Sequence, residues 1–251
     1  MNHSKPFLFL VTFLTSMFSV AQTPEAQFEM GNGAYKVKDF ETALEAYKNV
    51  EQAGFESPEL YFNMGNTAHQ LQQLGYSILY YEKALELDPN FEEAQKNLAF
   101  VEQFKADKIE QVPLSIFKTF FTEISSQFTV DQWFNISIWA LLLFCIGVFA
   151  LSFQWIKAKR KPVFFLNLMA LAFALFAIGF TIYSHQNQKQ LLVFVGDTVY
   201  VKSEPNTESV DLFLLHEGVK AEVKAKDGNW LNIRLEDGLS GWVKVSDFEE
   251  I

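Results

Sequence analysis

Two long apolar runs constrain this chain more than any other feature. Ile136–Ile156 and Val163–Tyr183 are each 21 residues without a charged side chain. At about 1.5 Å per residue each forms a helix about 31 Å long, close to the thickness of a bilayer's hydrocarbon core. A buried helix of that length in a water-soluble globule would carry one polar face, and these carry none. Membrane-spanning helices are therefore expected over 135–156 and 163–183. The turn between them, 157–162, holds Lys157, Lys159, Arg160 and Lys161, whereas no Lys or Arg occurs from Thr119 to Gln154. Short basic loops stay in the cytoplasm, so the pair is expected to form a hairpin with both flanking domains outside. Trp133, Trp139, Trp155 and Tyr183 sit near the span ends, where aromatic belts form. Cys145 falls mid-span and reads as a small apolar residue.

The N-terminus points the same way. Residues 1–21 read as a signal peptide: Lys5 precedes the apolar stretch Phe7–Phe18, and Ser19-Val20-Ala21 offers the small residues of a cleavage site before Gln22. An uncleaved anchor helix is the alternative, and both deliver the following residues across the membrane. No Cys follows the site, which argues against a lipoprotein. Just before the first span, Leu114, Phe117, Phe121, Ile124 and Phe128 recur at helical spacing, predicting an amphipathic helix within 113–134. That helix either lies on the outer membrane surface or packs against the exported domain.

The segment 22–112 contains an internal repeat. Phe28-Glu29-Met30-Gly31-Asn32-Gly33-Ala34 and Phe62-Asn63-Met64-Gly65-Asn66-Thr67-Ala68 share five of seven residues at an offset of 34, and Tyr47 pairs with Tyr81 at the same offset. A 34-residue period resembles tetratricopeptide (TPR) helix pairs. The expected units are about 24–57 and 58–91, closed at Asp88-Pro89 because proline cannot continue a helix, with a capping helix at 92–108. About three such units are usually needed for stability, so a further contact is expected. The resemblance implies a groove for a peptide or helix. Asn32, Asn63 and Asn66 are its candidate contacts; the alternative is that they tie the repeat together locally. Phe28 and Asn97 stand where a carboxylate clamp of this family would place basic residues, so a clamp is not expected. The segment carries 7 Lys+Arg against 16 Asp+Glu, which favours a basic or mixed partner surface.

From residue 190 the apolar period changes to two. Val219, Ala221, Val223 and Ala225 alternate with polar residues, as do Leu231, Ile233 and Leu235, and Asp227-Gly228 and Asp237-Gly238 mark turns. A small all-β barrel is expected over 190–251. Val199-Tyr200-Val201-Lys202-Ser203-Glu204-Pro205, Leu214-Leu215-His216-Glu217-Gly218, Asn229-Trp230 and Leu239-Ser240-Gly241-Trp242-Val243 resemble a bacterial SH3 (SH3b) domain. The resemblance implies binding of peptidoglycan or protein peptides, with Tyr200, Trp230 and Trp242 as candidate groove residues. Glu204 replaces the glycine usual in the first of these motifs.

No catalytic constellation emerges. Walker, Rossmann and His-Glu-x-x-His patterns are missing from the sequence, and His3, His69, His185 and His216 are widely spaced. No enzyme activity, metal or cofactor is expected. A net charge of −10 disfavours nucleic acid, and one cysteine rules out an internal disulfide.

The expected fold is thus a multidomain membrane protein: an α-helical TPR solenoid, two transmembrane helices and a C-terminal SH3-like barrel. The order of these parts resembles BatE-type proteins of the bacterial aerotolerance (Bat) operon. That resemblance implies a non-enzymatic scaffold in the bacterial inner membrane, with both soluble domains periplasmic. It implies von Willebrand A-domain membrane proteins as partners, a MoxR-type ATPase on the cytoplasmic side, and a link to envelope stress or oxygen tolerance. The alternative is a cell-wall receptor that binds peptidoglycan through the SH3b domain.

Overall fold

The computed structural model describes residues 23–109, 116–152, 160–186 and 190–251. The signal segment 1–21, Leu114 and the basic residues Lys157 and Lys159 lie outside the described residues.

Residues 23–56 form one helical hairpin, α1 (Pro24–Lys36) and α2 (Phe40–Gln52). Each helix starts where the sequence supplies a cap. Thr23 Oγ1 accepts from the Ala26 amide, with Pro24 opening α1, and Asp39 Oδ1 accepts from the Thr42 amide. Gly31 sets the spacing: a Cβ there would come 2.5 Å from the Tyr47 ring. The absent side chain lets the two helices close over Tyr47, which is fully buried.

Residues 57–251 form the second body. It opens with the same hairpin, 34 residues on: α3 (Pro58–Gln70), capped by Ser57, and α4 (Leu74–Leu87). Gly65 seats the Tyr81 ring, and Ser77, fully buried, donates its hydroxyl to the Gly65 carbonyl at 3.0 Å. The α1–α2 and α3–α4 turns each hold one residue at positive φ, Lys38 and Gln72. α5 (Glu92–Val101) packs on α4 through Ala94, Leu98 and Val101 and ends in a short 3-10 turn, Glu102–Phe104. The sequence predicts helix to 108. Instead, residues 105–109 leave the helix because their side chains are engaged elsewhere: Asp107 and Ile109 reach the β domain.

α6 (Ile116–Ser125), α7 (Val130–Ser152) and α8 (Arg160–Gln186) follow. Sequence periodicity predicts one amphipathic stretch to 134, but the helix breaks at Ser126–Thr129. The break is a capping box: Thr129 Oγ1 accepts from the Gln132 amide at 3.2 Å, and Gln132 Oε1 accepts from the Thr129 amide at 3.0 Å. α7 therefore starts at Val130 rather than 135. α8 begins at Arg160 rather than 163, with Pro162 in its first turn, where a missing N–H costs nothing. α7 and α8 are long and apolar enough to cross a membrane, and most of their side chains face outward. At the end away from the basic turn, Trp133 stacks on Phe180 with ring centroids 5.0 Å apart.

The C-terminal part is a seven-stranded antiparallel sheet: β1 (Leu191–Phe194), β2 (Thr198–Lys202), β3 (Asp211–His216), β4 (Lys220–Asp227), β5 (Trp230–Arg234), β6 (Ser240–Lys244) and β7 (Phe248–Glu250), in the order β3-β2-β6-β5-β4-β1-β7. Phe194, Val201, Leu215, Val219, Ala221, Ile233, Val243 and Phe248 share one core. The expected inward run of β4 ends early. A bulge between Val223 and Ala225 shifts the register and leaves Ala225 exposed, because one extra residue flips every later side chain to the other face.

Candidate functional site

Three surfaces carry the polar chemistry outside the apolar helices. The first is the asparagine set of the repeats. In the first hairpin, Tyr47 donates its hydroxyl to Asn32 Oδ1 at 2.8 Å. Burial, then Tyr35 and Glu29, push the Tyr47 phenol up to about 12, so it remains a donor across the physiological range. In the second body the arrangement recurs at 2.7 Å between the Tyr81 hydroxyl and Asn66 Oδ1. Asn97 of α5 adds its amide to the same oxygen at 2.8 Å and to the Tyr81 hydroxyl at 3.4 Å. The side-chain carbonyl oxygens of Asn32 and Asn66 thus fix the tyrosines of α2 and α4. Asn63 is half-buried on α3, and its backbone carbonyl accepts from the Thr67 hydroxyl at 2.6 Å.

The second surface is the outer face of the β domain. Core positions of β5 and β6 alternate with Trp230, Asn232, Trp242 and Lys244. The register sets Trp230 opposite Lys244 and Asn232 opposite Trp242, so the two tryptophans are diagonal neighbours on one face. Both are half-buried, and Tyr200 on β2 is exposed. A cleft of about 500 Å³ opens beside Trp230, bounded by Thr207, Asn229 and Lys244–Ser246. Trp242 and Tyr200 lie outside its lining. The structure therefore brings Trp230 and Trp242 onto one face but gives the cleft to Trp230.

The third surface was not legible as a site in the sequence. Helix α4 packs against the start of β4 and the chain around β1. Lys220 Nζ lies 2.6 Å from Glu82 Oε1 on α4 and 3.3 Å from Glu102 Oε1 beyond α5, with about a fifth of its side chain exposed. Lys105 completes the group at 3.0 Å from Glu102. Burial opposes the charge on Lys220, but the Glu82 and Glu102 carboxylates outweigh it and raise its pKa. Burial likewise opposes the charge on Glu102, and Lys220 and Lys105 outweigh it and lower its pKa.

Around this cluster the backbones meet. Asp107 accepts from the His216 amide at 2.7 Å and lies 3.0 Å from its Nδ1. Helix α4 has no side-chain cap of its own; Glu217 supplies one, accepting from the Gly75 amide at 3.1 Å. Gly75 leaves no room for a side chain, since a Cβ would lie 2.8 Å from the Phe194 carbonyl and 2.9 Å from Val195 Cα. Gly218, at φ +85°, brings the β3–β4 turn against Ile78 in the same way. A sequence trace of this contact is Gly75, a glycine in the first turn of a helix where a side chain would meet the main chain of the β domain.

A tetratricopeptide repeat family model matches residues 58–91, the segment that runs from the start of α3 to Phe91. Comparison with curated proteins returns no match. Among solved structures, the chain is similar to YrrB, described as a TPR protein with an unusual peptide-binding site. The identity is 15%, 66% of this chain and 76% of that chain are covered, and the TM-score is 0.32. The repeat supports a protein–protein interaction scaffold.

Proposed function

We propose that the chain is a non-enzymatic, membrane-anchored adaptor. In this reading α7 and α8 cross the bacterial inner membrane as a hairpin, the basic turn at 157–162 faces the cytoplasm, and the TPR repeats and β domain stand together in the periplasm. One observation carries the reading: α4 and the β domain are fastened to each other by Lys220, Glu82, Glu102, Asp107 and Glu217, although both apolar helices lie between them in the chain. Two polar domains in contact must share one side of a membrane, which requires an even number of crossings. This agrees with the topology expected from the basic turn.

The contact uses α4 of the second repeat, whereas Asn63 is on α3. On the β domain it uses the Lys220 end of β4. Trp230 follows the opposite end, about 23 Å away along eight residues. The second repeat holds a partner protein through α3, with Asn66 chiefly setting the shape of its own hairpin. The Trp230 cleft holds a second ligand, either a peptide or, in the alternative reading, peptidoglycan. The module order favours a Bat-type envelope complex with von Willebrand A-domain membrane proteins.

The test is crosslinked co-purification of the tagged full-length chain in mild detergent, comparing the unaltered protein with Asn63→Ala and Trp230→Ala. The adaptor reading expects membrane proteins in stoichiometric amount that are lost with Asn63→Ala. Recovery of cell-wall fragments alone, lost with Trp230→Ala, would replace it with the receptor.

A further inference from the structure

We propose that α6 lies in the headgroup–acyl boundary of the bilayer, on the side of the TPR repeats and β domain, with Ile116, Phe117 and Phe120 sunk among lipid chains. The inference rests on the membrane reading of α7 and α8.

Spacing alone divides this ten-residue helix. At 100° per residue, Ile116, Phe117, Phe120, Phe121 and Ile124 fall within one arc of about 140°, and Lys118, Thr119, Thr122, Glu123 and Ser125 fill the remainder. The structure fixes where that arc points. One edge rests on the ends of the apolar helices: the Phe121 ring centroid is 5.9 Å from that of Phe180 and 6.0 Å from that of Tyr183, and Ile124 packs on the Trp133–Phe180 cluster. The Trp133 indole N–H donates to the Ser125 carbonyl at 3.1 Å, tying the helix end to the level of that ring. Trp and Tyr rings with a hydrogen-bonded polar end mark the depth at which a bilayer turns from hydrocarbon to headgroup.

The rest of the arc is bare. Ile116 is 86% exposed and Phe117 79%, and Phe120 is exposed too. The second repeat does approach this region: Asn90 Nδ2 donates to the Gln127 carbonyl at 3.0 Å. It touches the turn after α6, not the apolar arc. The edge of the arc is instead seated on the apolar helices through Phe121 and Ile124, and α7 exposes Phe134, Ile138 and Trp139 in its first three turns, near Trp133. An apolar arc held against the end of two lipid-facing spans takes the same occupant, lipid. The Lys118–Glu123 side then faces water, as in interfacial helices.

The experiment uses the full chain with Cys145→Ser, reconstituted in nanodiscs of phosphatidylethanolamine and phosphatidylglycerol. A nitroxide is placed in turn at Phe117→Cys, Phe120→Cys, Lys118→Cys and Leu142→Cys, all exposed positions. Collision rates with oxygen and with a water-soluble nickel chelate are read. The Leu142 label reports whether α7 is in the bilayer at all. The expected result is a deep Leu142 label, Phe117 and Phe120 labels favouring oxygen at about 5–10 Å below the interface, and a Lys118 label favouring nickel. A deep Leu142 label with Phe117 as open to nickel as Lys118 overturns the placement of α6 and leaves the spans standing. Phe117 shielded from both reagents overturns it in favour of a protein occupant. A Leu142 label in water overturns both readings.

Discussion

Replacing Lys220 with methionine tests what holds the β domain to the second repeat. The substitution keeps the apolar stem and removes the ammonium, leaving Glu82, about a fifth exposed, without that cation, while Glu102, about a third exposed, keeps Lys105. Removing one partner of a fully buried ion pair costs about 3–5 kcal/mol. Water reaches part of this cluster and Lys105 still neutralises Glu102, so the expected loss is about 2–3 kcal/mol of docking free energy. At 1.36 kcal/mol per tenfold, that is about a 30- to 160-fold rise in the population of the undocked state. Two backbone amides report it directly. The Gly75 and His216 N–H groups donate across the contact to Glu217 and Asp107, so they exchange with solvent when the surfaces part. Hydrogen exchange on the full chain in nanodiscs should show both accelerating together, while amides of Leu231 and Ile233 inside the β domain keep their rates. Adding Glu82→Gln and Glu102→Gln should restore most of the protection. Unchanged exchange at Gly75 and His216 would falsify the role given to the cluster. Equal acceleration at Ile233 would mean that the domain had unfolded rather than undocked.

Other expectations follow from the same geometry. Gly75→Ala should part the two surfaces, since the added Cβ meets main chain at 2.8–2.9 Å; loss of His216 amide protection with unchanged helical circular dichroism is the readout. Docking should be strongest between the two titrations of the cluster. Glu102 has its pKa depressed below the ordinary 4.5, so its contribution is present above that value and lost as pH falls through the depressed one. Lys220 has its pKa raised above 10.5, so its contribution is present below that value and lost as pH rises through the raised one. The protection factor at Gly75, the exchange rate of an unstructured amide at the same pH divided by that of Gly75, should show a broad maximum bounded on those two sides. Tyr81→Phe removes the hydroxyl shared by Asn66 and Asn97 and should lower the stability of the second repeat by about 1–2 kcal/mol, measured by thermal unfolding. Gly147→Leu should separate α7 from α8, because a Cβ at Gly147 would collide with the Asn167 amide; weakened crosslinking between cysteines placed on the two helices would show it.

The parts of the fold written in short-range pattern were legible. The 34-residue period gave the second hairpin and its Gly65–Tyr81 contact, uncharged length gave α7 and α8, and alternation gave the strands of the β domain. Legibility failed where a residue's role is set by a partner distant in sequence. Lys220 sits in an alternating strand and reads as a solvent-facing position, and its neighbours Glu82 on α4 and Glu102 just after α5 make it a mostly buried cation. Asp107 reads as the tail of a helix, yet it binds the β domain, with Ile109 packed there beside it, and the helix ends before it. The capping box at Thr129–Gln132 was visible in the sequence but was masked by apolar periodicity running through it. The asparagines matched the groove reading as well as the local one, and the hydroxyls of Tyr47 and Tyr81 account for two of them.

The Gly75–Glu217 bond joins residues 142 positions apart. A ribosome adds about 5–20 residues per second, so the second half of that bond emerges about 7–28 s after the first. On the topology proposed above, the second repeat spends this interval across the membrane with the N-terminus of α4 uncapped, while both apolar helices are still being inserted. The repeat is then completed by a segment made after both spans. A chain that stalls in the second span would leave an unfinished helical surface that quality-control proteases can distinguish from a completed molecule.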